Sequence, residues 1–248
     1  MPHIEIGAEK VFSIFGLPIT NSLLLEWVVV LAIVFSIQAM ARKMSLVPKG
    51  FQNLVESGVE ALIDFMKETL HSEKKAIKYL PYIGTFFFMI ILSNWAGILP
   101  GVGSIGLRET NVAGSFITPF LRSPASDLNF TLALAIISII AINVFGIAAL
   151  GFRKHAGKFF SNPFRDPIKS FVGILELIGE GAKLISLAFR LFGNVFAGEV
   201  LLIIVGFLAP YVAPVPFLIL ELFVGAIQAL IFATLTMVFI SIAVEDHG

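Results

Sequence analysis

The last third of this chain is two apolar stretches, 166–208 and 215–244, separated by a break that holds Pro210 and Pro214. The first is about 43 residues long, and one continuous helix of that length would reach ~60 Å, twice the hydrocarbon thickness of a bilayer. It must be strongly tilted, bent or folded back, and Gly173, Gly179, Gly181, Gly193, Gly198 and Gly206 allow each of these. Composition points the same way. The 248 residues are 57% apolar and only 14% charged, against about 25% charged in a soluble domain. The chain uses lipid as its solvent. Lys and Arg balance Asp and Glu at 17 each, so the basic footprint of a nucleic-acid binder is missing. With no cysteine, disulfides, iron–sulfur clusters and thiol catalysis drop out.

The remaining hydropathy divides into segments. Residues 1–21 form a tail with Glu5, Glu9 and a single basic residue, Lys10, and no small-residue cleavage site, so the tail does not read as a cleaved signal peptide. Residues 22–41 are apolar and near the ~20 residues that a spanning helix needs. In 48–78, Phe51, Leu54, Val55, Leu62, Phe65, Met66 and Leu70 recur at helical spacing while Glu56, Glu60, Asp64, Lys67 and Glu68 fill the other face. That predicts an amphipathic helix lying on the membrane surface or against a partner. Residues 79–99 and 130–150 are long enough to cross, with 100–129 a turn-rich polar loop between them. The expected fold is an all-α integral membrane protein in one domain, 1–248. It has about three spanning helices, one amphipathic surface helix and two long, strongly tilted C-terminal helices.

Basic residues orient it. Segment 42–78 holds seven Lys and Arg and segment 151–170 holds five, whereas the tail has one and the 100–129 loop two. By the positive-inside rule the N-terminus is outside, the two basic segments inside and the C-terminus cytoplasmic.

Six charges nevertheless fall within the long C-terminal stretches: Glu176, Glu180, Lys183, Arg190, Glu199 and Glu221, accompanied by the amides Asn194 and Gln228. Facing lipid they would cost on the order of 15–20 kcal/mol together, so they pair with one another or line an ion path. Glu176, Glu180, Lys183, Arg190 and Asn194 follow three/four spacing and share a helix face. The first three are close enough for an intrahelical network. Arg190 has no Lys or Arg after it, and its guanidinium keeps its charge at any physiological pH. It can hold or repel passing charges, or lock helices together by pairing with Glu199 or Glu221. Those two carboxyls suit proton exchange, because an acid in a low-dielectric site can titrate near neutrality; pairing with Arg190 is the structural alternative. All four histidines lie outside the predicted spans, which disfavours a metal or haem site in the membrane, and no phosphate-loop motif is present.

The run Ser186-Leu-Ala-Phe-Arg190-Leu-Phe-Gly-Asn194-Val-Phe-Ala-Gly-Glu199 resembles the signature of subunit a of the F-type ATP synthase membrane sector, in its bacterial form. Pro124-Ala-Ser-Asp127-Leu-Asn129, Asn162-Pro163-Phe164 and Gln228-Ala-Leu-Ile-Phe resemble further family motifs, so the likeness extends over most of the chain.

The resemblance implies a stator that lies against a rotating c-ring and supplies two offset half-channels coupling proton flow to rotation and ATP synthesis. Arg190 would face each passing ring carboxylate and separate the half-channels. Glu199, Glu221, Glu176, Asn194 and Gln228 would serve the proton path, with Glu180, Lys183 and Asp127 as supporting polar residues. In the family the pair matching Glu199 and Glu221 is often one Glu with one His; two Glu remove an imidazole relay. The implied partners are the c-ring, peripheral stalk subunit b, the soluble catalytic head through them, and membrane lipid. Such a subunit has no catalytic residue, cofactor or metal of its own, and its site is the bacterial inner membrane. The rival class is a stand-alone secondary ion transporter, which would need internal repeats with paired broken helices. None is visible.

Overall fold

The computed structural model describes residues 7–103, 105–111, 114–159 and 166–245. In chain order the elements are a hairpin of β1 (Lys10–Ile14) and β2 (Leu17–Thr20), then helices α1 (Asn21–Ala41), α2 (Phe51–Leu70) and α3 (Glu73–Gly97). A second hairpin follows, β3 (Gly106–Asn111) with β4 (Gly114–Pro119), and then α4 (Leu128–Leu150), α5 (Phe152–Phe159), α6 (Pro167–Leu208) and α7 (Pro214–Val244). The sequence motif Asn162-Pro163-Phe164 lies outside the described residues.

Five of these helices, α1, α3, α4, α6 and α7, are long and apolar enough to cross a membrane. The expectation of about three is corrected to five. The difference lies in α6 and α7, which the sequence reading set apart for their length. Length alone does not stop either from crossing: the 42 residues of α6 span ~63 Å as one helix and cover a bilayer at a steep tilt. The fold is otherwise helical, and its two short hairpins occupy the tail and the loop that the charge pattern places outside.

Local chemistry sets the helix ends. The stretch read as one amphipathic helix, 48–78, is divided: α2 stops at Leu70, His71 takes the left-handed conformation (φ 48°), and Ser72 accepts the Lys75 amide to cap α3. A serine cap with Glu73 in the first turn starts a helix even though the apolar run begins later, so Glu73–Lys78 are the polar first turns of a spanning helix. Asp127 caps α4, accepting the Asn129 amide at 2.9 Å. The same carboxylate accepts Ser22 Oγ at 2.7 Å, which ties the start of α1 to the start of α4.

The core has two parts. Phe86, Ile90, Leu134, Leu187, Leu191 and Phe232 join α3, α4, α6 and α7, and Leu62, Met66, Ile83, Ile142, Met237 and Ile240 seat α2 against α3, α4 and α7. α6 stays largely bare. Ile174, Leu175, Leu177, Ile178, Ile185 and Phe189 are all more than half exposed, an apolar face suited to lipid or a membrane partner.

Candidate functional site: an open arginine and a polar cavity on one helix

α6 is unbroken between Arg190 and Glu199, which lie nine residues apart, ~14 Å along a helix axis. Arg190 lies on the exposed side. Its Nη2 donates to Ser186 Oγ one turn earlier at 3.2 Å, and among the described residues it makes no ion pair. The alternative in which Arg190 locks onto Glu199 or Glu221 is not what the structure holds. Across the helix interface, Arg190 shares a shallow notch with Leu187, Leu191, Phe232 and Gln228, and Gln228 is buried. Asn194, one turn on, is exposed, and a Cβ added at Gly193 would meet open space within 4 Å. A flat, small-residue surface therefore runs beside the guanidinium.

Toward the C-terminal end of α6, Glu199 and Glu221 converge. Both line a cavity of ≈ 330 Å3 closed by the end of α3, the segment before α4, and the amino-terminal strand region. The Glu221 carboxylate packs directly on Gly198, so closely that a Cβ there would overlap it. Glycine at 198 is what lets α7 bring a second carboxyl beside Glu199. The sequence reading missed the residue that holds Glu199. Arg122, with its side chain 8% exposed, donates from Nε to Glu199 Oε1 at 3.0 Å and from Nη1 to the Gly7 carbonyl at 2.9 Å. In the sequence Arg122 counted only toward loop charge; its position five residues ahead of Asp127 in an apolar Pro119–Ser126 stretch was the available sign. Glu221 has no basic partner among the described residues.

Asn94 also lines the cavity. Its Nδ2 donates to Gly225 O at 3.1 Å, and Trp95 Nε1 donates to Leu222 O at 3.0 Å, so α3 grips α7 beside Glu221. Two polar atoms in the cavity wall, Asn94 Oδ1 and Ser123 Oγ, are buried with no protein partner, and such atoms favour ordered water.

The other candidates separate. Glu180 and Lys183 form an intrahelical ion pair at 2.7 Å, and Lys183 Nζ sits 5.1 Å from the Phe239 ring centroid on α7. Glu176 stays on the exposed face outside that pair, so the expected three-residue network contracts to two. Asp127 serves as the α4 cap described above, away from the cavity lining. A further buried acid that the sequence reading passed over is Glu26 on α1, 6% exposed. Its Oε2 accepts Ser93 Oγ at 2.7 Å, while its Oε1 has no partner. Among the described residues no cluster of three or more His, Asp or Glu is arranged to hold a metal ion.

Known proteins resemble the chain over most of its length. A family described as ATP synthase A chain matches residues 23–241. The ATP synthase subunit a of Gloeobacter violaceus is 33% identical over 245 residues, 98% of this chain and 92% of the relative. That of Campylobacter concisus is 38% identical over 208 residues, 83% of this chain and 82% of the relative. The motif of α6, the five apolar helices and a match across nearly the whole length converge, and the chain belongs to the ATP synthase A chain family.

Proposed function

We propose that this chain is the stator of a rotary ATP synthase, carrying protons between two offset half-channels past a c-ring in a bacterial inner membrane. The observation that carries the reading is Arg190: a permanent cation on the exposed face of a long membrane helix, held only by Ser186 and flanked by small residues. A buried charge normally finds its counter-charge within the protein. One left open is supported by a carboxylate from another protein, and a ring that presents one carboxylate after another would supply it.

In this reading, Arg190 stabilises each arriving ring carboxylate as the anion and bars a proton from passing straight between the half-channels, since a guanidinium does not give up its proton. Gln228, beside it in the notch, orients the encounter, and Asn194 borders the ring surface. The cavity of Glu199 and Glu221 is the outer half-channel. Arg122 holds Glu199 in place, so Glu221 is the more mobile proton carrier of the two. Glu176, exposed on the inward-leading part of α6, belongs to the opposite half-channel, and the Glu180–Lys183 pair steadies that turn against α7. The c-ring, a peripheral stalk subunit b and, through them, the catalytic head are the partners. The N-terminus is outside and the C-terminus cytoplasmic.

The test is Arg190→Ala in the assembled complex, with ATP-driven proton pumping measured in inverted membrane vesicles. Pumping should vanish while the subunit still assembles. Retained pumping would sink the assignment.

A further inference from the structure

We infer that Glu9, presented by the amino-terminal hairpin, is a proton-capturing carboxylate at the mouth of the outer cavity, and that the hairpin is a working wall of that half-channel. The inference rests on the proposed function but adds a residue that precedes the family match, which begins at residue 23.

Glu9 lines the cavity together with Glu199, Glu221, Asn94 and Arg122. It is held there by two bonds from the first residue of α1: the Asn21 amide donates to the Glu9 carbonyl at 3.1 Å, and Asn21 Nδ2 donates to Glu9 Oε2 at 3.3 Å. Asn21 is itself fully buried and also donates to Pro119 O at 3.2 Å, so the anchor is rigid. Two residues earlier, the Gly7 carbonyl accepts Arg122 Nη1 at 2.9 Å. The arginine that holds Glu199 thus also holds the segment that carries Glu9, just ahead of β1. Three carboxylates from three elements, the tail, α6 and α7, line one cavity with a single arginine, an excess of acids over bases. The adjoining Lys10 points to the exposed side.

Polar atoms left without protein partners in the same wall, Asn94 Oδ1 and Ser123 Oγ, suit a wet passage from Glu9 inward. A cleft of one sign concentrates the opposite charge and speeds its capture. Glu9, half-buried like the other two and the one carried by the tail, is the acid assigned here to take protons from the outer solution and hand them toward Glu221. The bond from Asn21 Nδ2 asks only for an acceptor, which an amide supplies as well as a carboxylate. Proton capture needs the acid.

That difference sets the experiment. Inverted vesicles bearing the whole ATP synthase place the outer face in the lumen, so ATP synthesis driven by an imposed gradient can be followed while lumen pH is varied. Glu9→Gln keeps the Asn21 bond and removes the acid. It is expected to slow synthesis on the order of threefold when the lumen is alkaline and protons are scarce, with the deficit closing as the lumen is acidified, and Glu9→Asp should restore most of the rate. Rates equal to wild type at every lumen pH overturn the inference, as does a deficit that is independent of lumen pH or that Glu9→Asp shares in full. Arg190→Ala measured alongside separates the two claims: if it abolishes synthesis while Glu9→Gln is silent, the stator reading stands and only the role of Glu9 falls.

Discussion

The protein places two arginines against the same helix and treats them in opposite ways. Arg122 is enclosed, with a carboxylate at 3.0 Å and a backbone carbonyl at 2.9 Å. Arg190 is exposed, with a serine hydroxyl as its hydrogen-bond partner. A guanidinium that finds its counter-charge inside the fold becomes part of the architecture, because removing it strands a partly buried acid. One whose counter-charge is absent from the fold adds little to folding and stays available for a charge that arrives and leaves. On the proposed function the same side chain is a clamp in one place and a gate in the other, and the difference lies in the neighbours.

The sharpest way to break this comparison is to delete both in turn. Arg190→Ala should leave thermal unfolding of the detergent-solubilised subunit nearly unchanged while abolishing pumping. Arg122→Ala should do the reverse first. Breaking a buried pair costs about 3–5 kcal/mol, and with Glu199 a quarter exposed the lower end is expected, so the yield of folded subunit should fall before any transport is measured. Replacing both members, Arg122→Leu with Glu199→Leu, should recover most of that stability without recovering transport. If Arg190→Ala proves the more destabilising change, the distinction between clamp and gate fails.

Two glycines sharpen the comparison on a smaller scale. A Cβ at 198 would overlap the Glu221 carboxylate, whereas one at 193 meets nothing. Gly198→Ala should therefore cost about 1–3 kcal/mol through displacement of Glu221. Gly193→Ala should leave the isolated subunit as stable or stabilise it by up to ~1 kcal/mol, yet weaken copurification with the ring it would face. Unfolding curves and copurification of the two variants, side by side, check both halves.

Next in size is Glu26. Its hydrogen bond to Ser93 joins α1 to α3, and α1 otherwise rests on few buried side chains. Glu26→Gln keeps a polar group of the same shape and should change stability by less than ~1 kcal/mol, while Glu26→Leu leaves the Ser93 hydroxyl unpaired and should cost about 1–2 kcal/mol. Limited proteolysis in the 42–50 linker, faster in the Leu variant, would report the loosened α1.

Much of this was legible in the sequence. Apolar runs located the five long helices because backbone in lipid must satisfy its own hydrogen bonds, leaving little freedom beyond the helix. The small residues near Gln228 permit a close approach: Gly225 packs on Asn94 and Ala229 is fully buried. Four-residue spacing placed Arg190 and Asn194 on one face, and both are exposed. What was illegible was pairing across the fold. Arg122 and Glu199 are 77 residues apart, Glu26 and Ser93 are 67 apart, and Glu9 reaches the cavity through a hairpin. Helical periodicity reports the neighbours within one element, whereas these contacts depend on how separate elements pack. The division of 48–78 was missed for a different reason: a cap at Ser72 acts through one hydrogen bond, too local for a hydropathy window to register.

The smallest expected effect belongs to α5, where a buried imidazole takes the place of an arginine. His155 on α5 is buried against Gly146 of α4, so closely that a Cβ at 146 would lie 2.6 Å from its ring. Asn143 donates its Nδ2 to Ile139 O, so its Oδ1, 3.0 Å from His155 Nε2, is the acceptor and Nε2 carries the proton. Nδ1 is buried without a partner. Burial, and then the nearby Lys158, push the imidazole below its ordinary value, against a weaker upward pull from Glu180 and Glu176. A base whose folded value is depressed binds its proton more readily when unfolded, so stability is full above the unfolded value of about 6.5 and declines as pH falls through it. Thermal unfolding in detergent should therefore drop by roughly 1–2 °C between mildly alkaline and mildly acid buffer, and His155→Gln should flatten that slope. Arg122 and Arg190 keep their charge throughout the range, so a slope that survives in the Gln variant would place the pH sensitivity in other titratable groups and leave His155 as packing alone.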